Sequence, residues 1–292
     1  MTDPFVVHEE PELEEPVLVT MLVGWIDAGA AAATAMTVLE NELAARPVAT
    51  FDADTFIDYR ARRPTMVLRD GVNTDLVWPD TRLLAGRDSS GHDVLLLTGH
   101  EPDANWRLFV DKAAGMAVDL GTKMMVGLGA YPFTTPHSRP SRLSITANSA
   151  EVAGSMSYLR NSIDVPAGIE AALERRFAEL GLPAVGLWAQ VPHYVSNVPY
   201  PGASVALLDG LAEVAGVATE GVALRNDAIA HKTRLDELVK QSGEHVAMVR
   251  QLEEAYDASL DESSTTEGLL GPLPTGDELA AELERYLRDQ GS

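Results

Sequence analysis

Apolar runs of strand length alternate with helical periods along most of this chain. The run VLVTMLVG at 17–24 is apolar throughout, which is typical of a strand covered on both faces. Residues 28–45 are rich in alanine and favour a helix. The alternation continues, and it predicts strands at 47–54, 92–98, 123–129, 142–147 and 183–191, helices at 106–120, 166–180 and 203–214, and a hairpin at 66–78 around Asp70-Gly71. The pattern therefore predicts a three-layer α/β/α domain with a largely parallel sheet over residues 16–224.

The pattern changes after residue 224. Residues 225–260 lack proline and carry apolar positions at near-helical spacing. Residues 261–274 are expected to form a linker, and Thr275 to Glu278 form a capping box that opens a short helix. We therefore expect a C-terminal helical appendage over 225–292, folded as a helical hairpin. At the other end of the chain, residues 1–15 form an acidic leader with six acids and no base.

The charge balance limits the partners that this chain would bind. Its 292 residues include 44 acidic and 22 basic side chains, a net charge of −22, which disfavours nucleic acids and anionic membranes. It has no cysteine, so disulfides, thiolate zinc sites and a cysteine nucleophile are excluded. No apolar stretch reaches the ~18 residues needed to cross a bilayer, and the leader lacks the regions of a signal peptide. We expect a cytoplasmic protein with no membrane or nucleic-acid partner.

A glycine-containing turn joins the first predicted strand to the first predicted helix. It has the sequence Gly24-Trp-Ile-Asp-Ala-Gly29, and a phosphate could bind there against the amides of the helix N-terminus. The turn lacks the residues of a Walker loop and the spacing of a dinucleotide-binding loop. Alternatively, Gly29 permits a tight turn while Asp27 caps the helix. No cofactor is predicted.

Polar residues follow three of the predicted strands. They are His100 and Glu101 after 92–98, His137 and Arg139 in the proline-rich loop after 123–129, and His193 and Tyr194 after 183–191. Because the carboxyl ends of parallel strands meet at one edge of a sheet, these side chains could converge on a ligand. Arg139 would then bind an anion, and a histidine would act as acid or base. A histidine taken alone is more often a hydrogen-bonded structural residue.

Signatures of metal binding and covalent catalysis are missing from the sequence. No pair of histidines has the close spacing expected of a metal site. There is also no G-x-S-x-G motif, which an α/β-hydrolase would carry. We therefore assign no metal ligand and no catalytic residue from the sequence.

Five segments in order, VLVTMLVGWIDAG, GHEPDANW, PHSRP, VPHYVSNVPYPGA and LPTGDELAAELERYLRD, give the chain a family resemblance. It resembles the proteasome assembly chaperone 2 family, in particular its actinobacterial branch. The resemblance implies a three-layer fold related in shape to phosphorylase/hydrolase-like proteins, a helical appendage, and a homo-oligomer, either a trimer or a dimer. Relatives are non-enzymatic proteasome assembly chaperones that dock through a C-terminal hydrophobic–tyrosine–any tripeptide. This chain departs from that pattern, since it ends in Arg288-Asp-Gln-Gly-Ser292.

Two functional hypotheses follow. The first is an oligomeric, non-catalytic assembly factor or protein-binding protein. The second is a small-molecule-binding enzyme of the phosphorylase/hydrolase type, with its site at the strand-end loops. The second requires His100, His137 and His193 to lie within about one ligand's width in a single pocket. The sequence favours the first hypothesis and leaves catalysis open.

Overall fold

The computed structural model describes residues 3–160 and 162–262, which form one large sheet, a separate hairpin and flanking helices. The strands within those residues are β1 (Phe5–Val7), β2 (Val17–Val23), β3 (Arg46–Phe51), β4 (Thr65–Arg69), β5 (Val72–Val77), β6 (Thr81–Arg87), β7 (Asp93–His100), β8 (Met124–Phe133), β9 (Leu143–Ala147) and β10 (Ala184–Pro192). The helices are α1 (Ala31–Glu42), α2 (Ala53–Phe56), α3 (Trp106–Asp119), α4 (Ala150–Gly154), α5 (Ile169–Glu179), α6 (Pro201–Ala215), α7 (Val222–Lys240) and α8 (Gly243–Glu262).

The main sheet is parallel at its centre and antiparallel at its flanks. Its strand order is β1-β3-β6-β7-β2-β8-β10-β9. The central strands β7, β2, β8 and β10 pair in parallel. The strands β6, β3 and β1 extend one side by antiparallel pairing, and β9 closes the other side in the same way. The α/β prediction is confirmed, and the parallel centre places four strand carboxyl ends at one edge.

Helices cover both faces of the sheet, which gives three layers. Along β2, Val17 and Val19 pack with α1 and α6 on one face, whereas Leu18 and Leu22 pack with α3 and α5 on the other. These residues are all nearly inaccessible to solvent. The continuous apolar run at 17–24 therefore has the physical origin that the sequence indicates, because a strand buried on both faces cannot alternate with polar residues.

Strands β4 and β5 form a two-stranded antiparallel sheet of their own. The predicted turn at Asp70-Gly71 joins them, and both residues have positive φ, as such a tight turn requires. Every residue of β5 is exposed. This β4–β5 hairpin carries large apolar side chains that are 38–61% exposed, namely Met66, Leu68, Val72, Leu76, Val77 and the adjoining Trp78.

Both ends of the chain differ in detail from the expectation. The acidic leader contributes β1, which pairs with β3, and Leu13, which packs against the core. The helical segment expected at 225–260 breaks at Gln241, so that α7 and α8 are separate helices. Helix α7 packs on α6 and buries Leu224 and Leu235 in the same core as β2. The expected helix from Thr275 and most of the linker lie outside the described residues.

The chain divides into two compact units, with the boundary between Glu253 and Glu254. All the strands described above, and α1 to α7, belong to the first unit. In the second unit the structure describes only the final turns of α8, residues 254–262. None of the described helices has the length and apolar character required to cross a lipid bilayer.

Candidate functional site

The residues predicted from the sequence follow the central strands at one edge of the sheet. Gly24 follows β2, and Glu101 follows β7 directly. Val23 is the register partner of His100, so the ends of β2 and β7 are level. The loops after β8 and β10 carry His137 and His193 at the same edge. The strand-end placement is therefore as expected, but the side chains divide into separate clusters.

The turn after β2 is held by hydrogen bonds within the protein. Asp27 accepts hydrogen bonds from the amides of Ala32 (2.8 Å) and Ala33 (3.0 Å) at the start of α1. Gly29 has a φ of 64°, and a Cβ there would lie 2.7 Å from the Cβ of Tyr200. The capping carboxylate already occupies the helix N-terminus, where a phosphate would otherwise bind. The turn therefore fits the capping interpretation.

His137 and Tyr194 form a buried pair between the loops after β8 and β10. The Tyr194 hydroxyl accepts a hydrogen bond from the His137 backbone N–H at 2.8 Å and lies 2.6 Å from His137 Nδ1. A phenol oxygen has two lone pairs and one hydrogen, so it can accept the amide hydrogen and also bond Nδ1 as either donor or acceptor. His137 is only 3% exposed, and burial lowers its pKa while Asp236 opposes that shift. Burial thus favours the neutral imidazole, which Tyr194 holds at Nδ1.

Helices α7 and α8 supply acidic partners to this His137–Tyr194 cluster. His137 Nε2 lies 3.3 Å from Asp236 Oδ1 on α7, at ion-pair distance but without hydrogen-bond geometry. Arg139 pairs with Glu253 on α8 at 3.2 Å, and Ser138 donates a hydrogen bond to the same carboxylate oxygen. Arg139 and Ser138 therefore fasten α8 to the proline-rich loop, while Asp236 of α7 lies beside His137.

His193 and His100 have different surroundings. The His193 ring packs edge-on against Tyr194, with centroids 5.3 Å apart. His100 lies on the other side of β2, where its charged neighbours are Arg62, Asp80 and Asp103. Burial lowers the pKa of His100 and so does the charge of Arg62, whereas Asp80 and Asp103 raise it. Its backbone N–H donates to the Asp80 carbonyl at 3.0 Å. The structure therefore brings His137 and His193 to one tyrosine and gives His100 separate partners.

Glu101 lines a cavity of about 200 Å³. The cavity lies beside α5, near the end of β2 and against the middle of β8 and β10, and Glu170 and Glu174 of α5 also line it. Small residues on the neighbouring strands make room for them. A Cβ on Gly127 of β8 would lie 3.2 Å from Glu170 Oε2, and one on Gly186 of β10 would lie 2.7 Å from Glu174 Oε1.

The acidic cavity changes the protonation of its carboxyl groups. Burial raises the pKa of Glu174 to about 7, against a hydrogen bond from Thr146 that lowers it. Burial also raises the pKa of Glu170 well above its ordinary value, and the charges of Glu174, Glu101 and Asp27 raise it further. Close carboxyl groups in a poorly solvated space cannot all ionise at neutral pH.

The two cavities are not lined by the strand-end histidines, and the described residues form no metal-binding group. Within residues 3–160 and 162–262, no three acidic or histidine side chains are grouped so that they could hold one metal ion. The second, more open cavity, about 640 Å³ in volume, is lined by residues of the acidic leader together with Arg87, Asp93 and Lys123. His100, His137 and His193 line neither of these cavities.

Glu170 and Glu174 are the residues that the sequence analysis missed. They are four residues apart on α5 and adjoin the apolar positions Ile169, Leu173 and Phe177. A signal was present, because acids next to a buried helical stripe project towards the sheet as readily as towards water. Only the placement of α5 against β2 and β10 shows that they are covered.

Comparisons with known proteins agree with this fold. The model of the PAC2 family matches residues 21–239. A protein of unknown function from Mycobacterium tuberculosis is 35% identical, with a TM-score of 0.81 over 88% of this chain and 92% of that chain. A PAC2 family protein from Streptomyces avermitilis is 36% identical, with a TM-score of 0.73 over 80% of this chain and 99% of that one. A proteasome-assembly chaperone homologue from M. tuberculosis is 34% identical, with a TM-score of 0.74 and the same coverage. The curated proteins include no match.

Proposed function

The chain belongs to the PAC2 family, and we propose that it is an oligomeric, non-catalytic assembly factor that acts in the cytoplasm by binding proteins. Its similarity to a proteasome-assembly chaperone homologue supports an assembly-factor-like role. The histidines that an enzyme would need are divided between separate clusters, and His137 is occupied by Tyr194. These observations favour protein binding over catalysis at the strand-end loops.

The exposed β4–β5 hairpin carries the proposal. An isolated two-stranded hairpin is marginally stable in water, and this one has no buried residue in β5. Its apolar side chains form a surface of the kind that marks protein–protein contacts. A partner that covers the hairpin would stabilise it by burying these side chains.

We propose that a second copy of this chain covers the hairpin. Two chains with a net charge of −22 repel each other, so contact between copies requires a surface of low charge. Residues 65–78 carry only Arg69, Asp70 and Asp75 as charged residues. The β4–β5 hairpin is therefore a place where two copies can meet with little repulsion.

The experiment compares two double variants by native mass spectrometry and light scattering. Met66→Lys with Leu76→Glu changes two directly paired positions, so the new charges attract each other and preserve the hairpin. Val222→Glu with Ile229→Lys is the control, since it changes two exposed apolar residues of α7 with the same charges. We expect the hairpin variant to be monomeric and the control to remain oligomeric.

The proposal fails on either of two results. If the unmodified chain is a monomer in solution, the chain does not self-associate and the proposal is wrong. An oligomer that persists in the hairpin variant with unchanged mass and dissociation constant would place the contact elsewhere. Circular dichroism of each variant establishes that a loss of oligomer is not a loss of fold.

A further inference from the structure

The cavity beside α5 holds more negative groups than the protein compensates. Four acidic residues line it, namely Asp27, Glu101, Glu170 and Glu174. Among the described residues that line it there is no lysine, arginine or histidine. The neighbouring Arg62 is paired with Asp103, with Nε 3.2 Å from both carboxylate oxygens. A Cβ on Gly24 would lie 2.8 Å from Arg62 Nη2 and 2.9 Å from Glu101 Oε2, so the guanidinium also lies near Glu101. Glu170 and Glu174 have no basic residue beside them in the described lining of the cavity.

Two of these glutamates are more than nine-tenths buried, and each uses only one of its two carboxylate oxygens in a hydrogen bond. Glu101, 7% exposed, accepts a hydrogen bond at Oε1 from the Ile169 N–H at 2.7 Å. Glu174, 8% exposed, accepts one at Oε1 from the Thr146 hydroxyl at 2.8 Å. In the described part of the chain, Oε2 of neither residue has a hydrogen-bond partner. The free oxygen of Glu174 is available to a donor that enters the cavity, whereas that of Glu101 lies towards Gly24 and Arg62.

An unpaired carboxylate in a cavity of this kind can be compensated in two ways, by a proton or by a cation. Transfer of an unpaired carboxylate into a poorly solvated space costs several kcal/mol, and such a group takes up a proton instead. A cation entering the cavity would remove that cost, because the carboxyl groups could then ionise against it. The arrangement is suited to a positively charged ligand.

Aromatic and apolar side chains complete the walls of the cavity. Trp25 packs against Gly168, where a Cβ would lie only 3.1 Å from Trp25 Cδ1. The Trp188 indole N–H donates to Thr146 Oγ1 at 3.3 Å, so this ring is held beside the oxygen that also binds Glu174. Indole faces attract ammonium groups. Met21, Leu22 and Leu128 add an apolar wall that fits an alkyl stem.

The nature of the cation follows from the spacing and the volume. No three of the described acidic residues are grouped closely enough to hold one metal ion. An alkyl ligand with one or two ammonium groups does not need such a group, because it can reach carboxylates that lie apart. A cavity of about 200 Å³ is smaller than the ~300–1,000 Å³ of a typical drug-sized site. The ligand is therefore small.

We propose that the cavity beside α5 binds a small aliphatic amine, with its ammonium group paired to Glu170 and Glu174 and its alkyl stem against the apolar wall. The same chemistry is presented by a free diamine and by the side chain of a lysine on a partner protein. The site is independent of the β4–β5 hairpin, so loss of oligomerisation in the hairpin variant leaves this proposal unaffected.

Isothermal titration calorimetry of the full chain at pH 8 tests the proposal. The probes are 1,5-diaminopentane and 1,5-pentanediol, which have the same stem but differ in charge. We expect saturable, one-to-one binding of the diamine and no heat from the diol. Proton release on binding, measured from the dependence of the heat on the buffer at pH 7, is expected because the carboxyl groups lose protons to pair with the ammonium.

Isosteric variants locate the site. Glu170→Gln and Glu174→Gln each remove a charge without changing the shape of the side chain, and each should weaken diamine binding about tenfold or more. Glu179→Gln on the same helix is the control, since Glu179 is exposed and pairs with Arg176. It should bind the diamine as the unmodified chain does. Thermal unfolding of all three variants checks that they are folded.

Further titrations identify the source of the amine and the results that overturn the proposal. Tighter binding of Nα-acetyl-lysine N-methylamide than of the diamine would identify a lysine side chain as the ligand. Equal binding of diamine and diol, or unchanged binding in both glutamine variants, would show that the carboxylates do not recognise the amine. Displacement of the diamine by micromolar Ca²⁺ would show a metal site and would also contradict the proposal.

Discussion

Two polar clusters, one in the loops after β8 and β10 and one beneath α5, solve the problem of buried polar groups in opposite ways. The His137–Tyr194 cluster matches each acid of α7 and α8 with a base or a hydroxyl, as in the Arg139–Glu253 pair. The cavity beside α5 gathers Glu101, Glu170 and Glu174 with no basic residue among its described walls. The first arrangement fastens a helix to a loop, whereas the second stays incomplete until a cation enters.

The comparison shows that residue type alone does not identify a binding site. The sequence singles out histidine, arginine and tyrosine, and those of the His137–Tyr194 cluster bond to groups inside the protein. Among the described residues, His100 Nδ1 and His137 Nε2 have no hydrogen-bond partner, yet neither residue lines either of the two cavities. Glutamates on a helix look like a solvated face, yet here two of them carry unused oxygens in a cavity. A site is better recognised by uncompensated charge than by chemically versatile side chains.

The largest expected effect concerns Glu174 and is a gain of stability. Its folded pKa of about 7 lies above its ordinary 4.5, so the folded state holds the proton more tightly than the unfolded state. Stability then falls as the pH rises from about 4.5 to 7, by about 3 kcal/mol in all. Glu174→Gln should therefore raise the free energy of unfolding at pH 8 by about 2–3 kcal/mol and flatten this slope. Urea unfolding at pH 5 and pH 8 measures both, and a less stable variant at pH 8 would refute the assignment.

The second expected effect is a loss of stability in the opposite cluster. Tyr194→Phe removes the partner of the His137 amide and of Nδ1 in a partly buried site, which should lower the free energy of unfolding by about 2 kcal/mol. Tyr59→Phe is the matched control, because the Tyr59 hydroxyl bonds Asp54 at the surface. Urea unfolding at pH 7.5 compares the two. Equal stabilities of the two variants would contradict the structural role of the pair.

The smallest expected effect is at the rim of that cluster. The pKa of Asp236 is lowered, since Lys232 and His137 outweigh the opposing effect of burial. Its contribution to stability is therefore present above the ordinary 3.8 and is lost as the pH falls through the lowered folded value. Asp236→Asn should cost less than about 1 kcal/mol at pH 7 and nothing in strong acid. Hydrogen exchange of α7 amides should increase at pH 7, and a cost that grows on acidification would contradict this account.

The sequence predicts the frame of the fold well, because burial on both faces leaves a clear pattern. The apolar runs at 17–24 and 183–191 are central strands, and Asp70-Gly71 is the turn of a hairpin as expected. Strand β1 is missed because it is three residues long and lies in the acidic leader. The break between α7 and α8 is missed although Ser242-Gly243 is a turn signal, and the Ser242 hydroxyl accepts a hydrogen bond from the His245 N–H at the start of α8.

The cavity could be predicted only in part. Asp27 and Glu101 are identified from the sequence by their places after β2 and β7, although for other reasons. Glu170 and Glu174 are not identified, because their burial depends on α5 packing across glycines of β8 and β10. That contact joins segments far apart in the chain, and no local pattern encodes it.

The central claim is that the glutamates of the cavity are protonated when it is empty and ionised when an amine is bound. Isotope-edited infrared spectroscopy tests it most directly, because it distinguishes protonated from ionised carboxyl groups. The full chain at pH 6.5 should show the carbonyl stretch of protonated carboxyl groups, reduced in Glu170→Gln and Glu174→Gln. Addition of 1,5-diaminopentane should convert that band to carboxylate bands, and 1,5-pentanediol should leave it unchanged. A spectrum that shows only carboxylates before the amine is added, or a protonated band that the diamine does not alter, would contradict the account.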